Sequence, residues 1–289
     1  MPLVSIILPT RNRPDLLPRA VASVRAQTEP DFELLIVDNS PPGSRMAGGF
    51  GGDPRVRIVA APNAVNAAGV RNAGLAAATG TWISFLDDDD AYRPAKLASQ
   101  LALARDTSAP LVLCAGAFHL RGRVRVCYAE SAVRMGDDLL NSAGLGAPFL
   151  LHRRMPGLRF DETLFAGEDA HYAQALLAGL SLTAVPVVRE PLIDVYQDAA
   201  DRSRTNLRAE AGWRAARRTW WQFGRRYSPA ARRLFVMRAL VTRAKLHGRP
   251  MRVARLAPSV LHLGGRAQVR FVLNALAVSS GFIRGRWVT

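Results

Sequence analysis

The chain has 289 residues, 49% of them hydrophobic, and its 39 Lys+Arg against 23 Asp+Glu give a formal charge of +16. That length and apolar content bury a sizeable core, which excludes a disordered or fibrous protein and fits one large domain, or one domain with an appendage. Cys114 and Cys127, the only cysteines, are too few for a disulfide framework or a thiolate zinc site and read as small buried hydrophobes in a reducing compartment.

The start, MPLVSIILPTRNR, has no charged leader, long apolar stretch or small-residue cleavage site, so export is not expected. No run approaches the roughly 20 apolar residues of a bilayer span, and Phe271 to Ile283, which comes nearest, is short and contains Asn274. Leu3 to Leu8 reads as the first strand, and a helix follows in which Leu16, Leu17, Ala20, Val21 and Val24 recur at helical spacing, with Pro14 and Asp15 in its first turn. Glu33 to Val37 completes a βαβ unit. Pro41 to Pro54, with Gly48, Gly49, Gly51 and Gly52, reads as a loop: the cluster follows no strand directly, opens no helix and lacks the Gly-Lys-Ser/Thr ending of a phosphate cradle. Val56 to Ala60, Trp82 to Leu86 and Leu111 to Cys114 are further strands, and Ala64 to Ala78 and Pro94 to Ala104 are helices. The alternation predicts an α/β domain with a mainly parallel sheet covered by helices. The turn Pro9-Thr10-Arg11-Asn12 carries no glycine fingerprint, which disfavours a dinucleotide dehydrogenase.

The strongest chemical signal is Asp87-Asp88-Asp89-Asp90, directly after the apolar run TWISFL. Four adjacent carboxylates at the end of a buried strand repel one another and carry a desolvation cost that a cation would relieve, and hard oxygen ligands suit Mg²⁺ or Mn²⁺. A solvated acidic turn before the next helix is the plainer reading, and Asp90 is available as a helix cap in either case. In an open α/β sheet ligands bind at the carboxyl ends of the strands, where Asp38 after the second strand and Pro9, Thr10 and Arg11 after the first also lie.

Three ordered blocks, VSIILPTRNRPDLLPRAVASVRAQTEPDFELLIVDNS, GVRNAGLAAATGTWISFLDDDDAYRP and GAPFLLHRRMPGLRFDETLFAGEDAHYAQALLAGL, resemble the signatures of family 2 glycosyltransferases, inverting enzymes of the GT-A fold, over roughly residues 3 to 200. The resemblance implies a GT-A, Rossmann-like nucleotide-diphospho-sugar transferase domain at 1–205, and the arginine-studded remainder, 206–289, reads as a basic α-helical extension. It implies that Pro9, Thr10, Arg11 and Asp38 hold the donor's nucleoside and that Arg71 contacts the base or diphosphate. Asp87 or Asp88 would lie near the ribose, with Asp89 and Asp87 on a divalent metal. Asp169 would be the general base and Glu168 its neighbour. A cation stabilises a departing nucleotide diphosphate, and a single base activates the acceptor hydroxyl, so one displacement inverts the anomeric carbon. The chain departs from the family at Asn39-Ser40, where a second acid is common. It departs again after Tyr196, where many relatives show an Arg and then a His; here Gln197-Asp198-Ala199-Ala200-Asp201 follows, leaving Arg202 or Arg204 to meet the pyrophosphate. His171 reads as an ordinary helix histidine. Gln222-Phe223-Gly224-Arg225-Arg226 half-resembles the Gln-x-x-Arg-Trp motif of processive members but lacks the Trp, so a single addition is expected.

Charge is divided unevenly. Residues 1–201 hold 19 basic and 22 acidic side chains; residues 202–289 hold 20 basic and one acidic, Glu210. Arginines interleaved with Trp213, Trp220, Trp221 and Phe223, and again in Leu234 to Lys245 and around Phe271 to Arg286, suit an anionic membrane surface. A basic helical cap on the catalytic body is the plainer reading, and no nucleic-acid module is recognisable. The expected activity is transfer of one sugar from a nucleotide-diphospho-sugar, a UDP-sugar before others, to a saccharide or lipid-linked acceptor in cell-surface glycan synthesis. The expected place is the cytoplasm or the inner face of the plasma membrane. A sugar nucleotidyltransferase and a non-catalytic nucleotide- or polyanion-binding protein are the alternatives; the first would show a Gly-rich basic turn after the first strand, which Pro9-Thr10-Arg11 is not.

Overall fold

The N-terminal apolar strands are buried on both faces, so they occupy the middle of a layered structure. In a computed structural model of the chain, description covers residues 1–44, 52–120, 122–127, 132–134, 146–182, 184–196, 205–226 and 286–288. Strands β1 (Val4–Thr10), β2 (Phe32–Asp38), β3 (Val56–Ala60) and β4 (Trp82–Phe85) are parallel neighbours in the order β3-β2-β1-β4. Helices α1 (Leu17–Arg25) and α2 (Ala67–Ala77) make the crossovers. Side chains alternate across this sheet with the period of two that a pleat imposes. Ile7, Leu35 and Val37 face a core that includes Val70 of α2, and Ile6, Leu8, Leu34 and Ile36 face one that includes Leu17, Val21 and Val24 of α1.

Beyond β4 the expected mainly parallel sheet becomes mixed. After β5 (Ala91–Tyr92) and α3 (Lys96–Thr107) come β6 (Leu111–Leu120) and β7 (Arg123–Cys127), separated by only two residues and therefore antiparallel. β8 (Ala132–Arg134) pairs antiparallel with β10 (Ala184–Tyr196), and β9 (Leu150–Arg153) runs antiparallel between β4 and β6. β10 lies parallel to β6 and antiparallel to β5. Helix α4 (Glu168–Gly179) joins the α2 face through Tyr172, Leu176 and Leu177, and α3 joins the α1 face through Leu97, Leu101 and Ala104. Helix α5 (Thr205–Phe223) packs on α4.

Several boundaries differ from the sequence reading. α1 starts at Leu17, with Pro18 in the first turn, because Pro14 and Asp15 belong to a turn closed by Leu16 N–H on Arg13 O. Asp90 does not cap α3: the chain first runs through β5, so the cap position falls to Ala95 and makes no side-chain bond. Of the loop glycines, Gly52 has φ +96° while Gly48, Gly49 and Gly51 lie outside the described residues. So do Leu234 to Lys245, most of Phe271 to Arg286, and Arg202 and Arg204. Arg286 opens a strand, β11 (Arg286–Val288), rather than ending a helix; it pairs with β7, as Trp287 and Val288 suit extended backbone. No described helix is long and apolar enough to cross a membrane.

Helix α2 lies unusually close to the sheet at Gly74, where a β-carbon would stand 2.4 Å from Cγ2 of Ile7 and 3.0 Å from Cγ2 of Val37. Gly74→Ala is expected to destabilise the fold by about 1–3 kcal/mol through overpacking, measured by urea unfolding. A variant as stable as the parent would show that α2 is not held at this distance.

Candidate active site

The carboxyl ends of β1, β2 and β4 meet at one edge because parallel strands in register finish side by side. Thr10 is the register partner of Asp38, and Leu86 N–H still bonds Ile7 O, so the acidic turn begins level with Pro9 and Thr10. The turn stands on a buried polar network. The fully buried Lys96 ammonium donates to Ser84 Oγ (3.1 Å) and Gln100 Oε1 (2.8 Å), and the Tyr92 hydroxyl donates to Phe85 O. Burial lowers the Lys96 pKa to about 8.

The four aspartates go separate ways. Asp88 is buried and turns back toward β1, accepting from Thr10 Oγ1 (2.8 Å) and Arg13 Nη1 (2.9 Å). Asp87 accepts from Arg71 Nη2 at 2.7 Å. Asp89 accepts from Arg13 Nη1 at 3.0 Å, and its backbone oxygen accepts from Arg19. Asp90 accepts from Tyr196 N–H at 3.0 Å. Asp87, Asp89 and Asp90 each place one ligand oxygen within 4.8 Å of the others. Burial raises the Asp89 pKa, with the Asp87 and Asp88 charges adding to it; burial and the charges of Asp87 and Asp89 push Asp90 up to about 8. Crowded, half-desolvated oxygens that resist ionising are a donor set whose strain a hard divalent cation would relieve, so these residues fit a metal. Among the described residues the set takes in Asp90 as well as Asp87 and Asp89.

The second half of the site comes from α2 and α4. Arg71, only 4% exposed, reaches Asp87 with Nη2 and Glu168 with Nη1 (3.0 Å), and Asp169 Oδ1 lies 3.1 Å from the same Nη1. Burial would lower its pKa, but Asp169, Asp87 and Glu168 together raise it, so the guanidinium stays charged. The Asp169 contact has the distance of an ion pair without hydrogen-bond geometry, and Oδ1 has no hydrogen-bond donor. Desolvation pushes Asp169 up to about 6 against the pull of Arg71, with Glu168 and Asp87 adding repulsion. Glu168 and Asp169 open α4, where backbone N–H groups favour acids, and Gly167 at the cap takes φ +73°, a conformation costly for a residue with a β-carbon.

Residues 5–137 match the family profile described as Glycosyl transferase family 2. The matched stretch, β1 to β8, is a little under half of the chain, and over it the chain resembles family 2 glycosyltransferases. Over 187 residues it is 30% identical to the succinoglycan biosynthesis protein ExoO of Rhizobium meliloti, a match covering 58% of this chain and 54% of that one. The chain thus spans about half the length of that curated relative. Among solved structures it resembles S. aureus TarS 1-349 in complex with UDP-GlcNAc, with TM-score 0.63 and 18% identity over 84% of this chain and 72% of that one. It also resembles the mannosyltransferase PcManGT from Pyrobaculum calidifontis in complex with GDP-Man and Mn²⁺, with TM-score 0.54 and 18% identity over 96% and 80% of the two chains. The fold is therefore GT-A, as the resemblance implied.

The structure brings Thr10, Asp38, Arg71, Asp87, Asp88, Asp89, Glu168 and Asp169 to one edge. Pro9 is half-buried beside Thr10, and Arg11 is exposed at the rim. Asp38 is buried and accepts from Ser40 N–H at 2.8 Å. Sequence reasoning passed over Arg13 and Arg19, whose pairing with the acidic turn has no local signature, and Asn72. The Asn72 amide donates to Phe160 O (3.0 Å) and accepts from Phe160 N–H (2.8 Å), clamping the loop that leads into α4. His171 is buried, its Nε2 2.9 Å from Gln222 Oε1 on α5.

Arg71→Gln would strand three carboxylates and is expected to destabilise the domain by about 3–5 kcal/mol. Arg71→Lys should recover only a minority of this, since one ammonium cannot reach the partners that Nη1 and Nη2 serve at two edges of the guanidinium. Urea unfolding of both variants provides the check; a loss below about 1 kcal/mol for Arg71→Gln would mean that the acids do not depend on it.

Proposed function

We propose that the protein is a metal-dependent inverting glycosyltransferase that moves one sugar from a nucleotide-diphospho-sugar to a saccharide or lipid-linked acceptor in the synthesis of a cell-surface polysaccharide. One observation carries this reading: a single buried guanidinium spans the acidic turn after β4 and the Glu168-Asp169 pair at the start of α4. A donor-side acidic cluster and an acceptor-side carboxylate are thereby held within the reach of one sugar. The bound UDP-GlcNAc of TarS supports a UDP-sugar donor, the Mn²⁺ of the mannosyltransferase supports a divalent cation, and the succinoglycan relative supports a glycan acceptor.

In this reading Pro9, Thr10, Arg11 and Asp38 receive the nucleoside at the ends of β1 and β2. Asp87 and Asp89, joined by Asp90, hold a divalent cation, with Asp87 or Asp88 nearest the ribose. When bound, the cation supplies Lewis-acid neutralisation of the charge that grows on the departing diphosphate. Asp169, whose side chain is partly exposed, takes the proton of the acceptor hydroxyl as that oxygen attacks the anomeric carbon from the face opposite the leaving group. Glu168 and Arg71 hold Asp169 in orientation, and Arg71 keeps the base ionised at neutral pH. Residues 1–205 form the catalytic domain, and 206–289 form a basic region whose first helix, α5, bears on α4.

Asp169→Asn is expected to lower turnover by about 10²–10⁴ while leaving donor binding intact. Binding is read as the rise in melting temperature that UDP with Mn²⁺ produces, because a ligand of the native state alone must stabilise it. Full activity in this variant would remove Asp169 from the role of base, whereas a parent that binds UDP but turns nothing over would favour a non-catalytic binding protein. The pH profile of kcat/KM should fall with unit slope below about 6, where Asp169 takes up a proton and ceases to act as a base; a profile flat through that region would remove Asp169 from the role.

A further inference from the structure

Five large apolar side chains stand exposed among the described residues, and three of them, Val65, Phe165 and Trp221, at 67%, 68% and 79%, belong to one stretch of surface. Asn66 Nδ2 donates to the backbone oxygens of Glu162 (2.7 Å) and Leu164 (3.3 Å), which sets Val65 beside the loop carrying Phe165. That loop lies along α5. Arg218 donates to Asp161, and a β-carbon on Gly167 would stand 3.2 Å from Cβ of Ala215. Two residues beyond Gly167 is Asp169, so this surface borders the entrance to the proposed base.

The exposed side of α5 is rich in arginine. At about 100° per residue, Arg214, Arg217, Arg218, Trp221 and Arg225 fall within an arc of roughly 100°, opposite the buried Ala215, Thr219 and Phe223. All five are exposed, Arg225 in the turn just past the helix end, and the whole of residues 202–289 holds one acid. Arg218 already meets Asp161, so it is the cationic face as a whole, and not any single guanidinium, that an extended anionic surface would match. An acidic protein or nucleic acid would satisfy the arginines but would give little to Val65, an aliphatic side chain on a separate loop that has no base to stack on. A bilayer satisfies both, with phosphates at headgroup depth for arginine and Trp221 and an apolar interior for Val65 and Phe165.

We propose that Val65, Phe165 and the Arg214–Arg225 face of α5 form a docking surface for an anionic phospholipid bilayer. It would seat the mouth of the site at headgroup depth, where a lipid-linked acceptor presents its hydroxyl. Only the acceptor clause rests on the transferase reading; the docking does not.

The full chain is to be sedimented with vesicles of phosphatidylcholine alone and of phosphatidylcholine mixed with an equal part of phosphatidylglycerol. Binding is expected to the mixed vesicles, to weaken with added salt, and to drop about tenfold or more in Phe165→Ser/Trp221→Ser and again in Arg217→Glu. These variants should keep the parent's melting temperature and its shift with UDP and Mn²⁺, which separates lost docking from lost folding. Equal sedimentation of the variants and the parent would overturn the proposal, as would equal binding to neutral vesicles, or a parent that prefers duplex DNA or self-associates through this face. Vesicle binding by a parent without transferase activity would leave the docking standing and remove the functional reading.

Discussion

Arg71 is buried among carboxylates from two distant parts of the chain, and neither side of that cluster is tolerable without it. Asp87 follows a strand packed on both faces; Glu168 and Asp169 begin a helix about eighty residues later in the same core. A buried guanidinium without acids would be as costly as the acids without it. The three-way pairing therefore ties the β4 end to the α4 start and fixes the width of the space between them. Its planar fork matters, because Nη2 serves one side and Nη1 the other.

Everything that aims Arg71 is apolar packing or clamped backbone. Gly74 lets α2 approach β1 and β2 until Ile7 and Val37 fill the contact, which brings the first turns of α2 level with the strand ends. Asn72, one residue on, fastens Phe160, and the Phe160 ring stacks on Tyr172 with centroids 4.0 Å apart. Helix α5 closes the same region from outside through Ala215 and Gln222. The short segment Arg71-Asn72-Ala73-Gly74 thus carries an ion-pair hub, a loop clamp and a close helix–sheet contact, which accounts for its density of special residue types.

The two ends of the electrostatic design differ in kind. At the strand ends, negative charge is concentrated beyond what the resident arginines neutralise, which suits a cation and a diphosphate. On α5, positive charge is spread along an exposed face with an aromatic at its centre, which suits an extended anionic surface. The slightly acidic body and the cationic tail seen in the composition therefore correspond to two charged surfaces of different shape.

The sequence by itself determined the βαβ start, the order of strands and helices through α3 apart from β5, and the acidic edge, because burial period and a run of carboxylates after an apolar strand are local signals. It also determined, through the resemblance, which acids to look for at the start of α4. Tertiary structure decided which partner each acid takes. Asp88 and Asp87 are adjacent in sequence, yet one faces Arg13 and the other Arg71, because both lie in the turn beyond β4, where the turn leading into α1 and helix α2 supply arginines from opposite faces of the sheet. Likewise Asp90 joins the acidic cluster instead of capping a helix because β5 intervenes to pair with β10, an antiparallel contact between residues about a hundred positions apart that no local pattern announces.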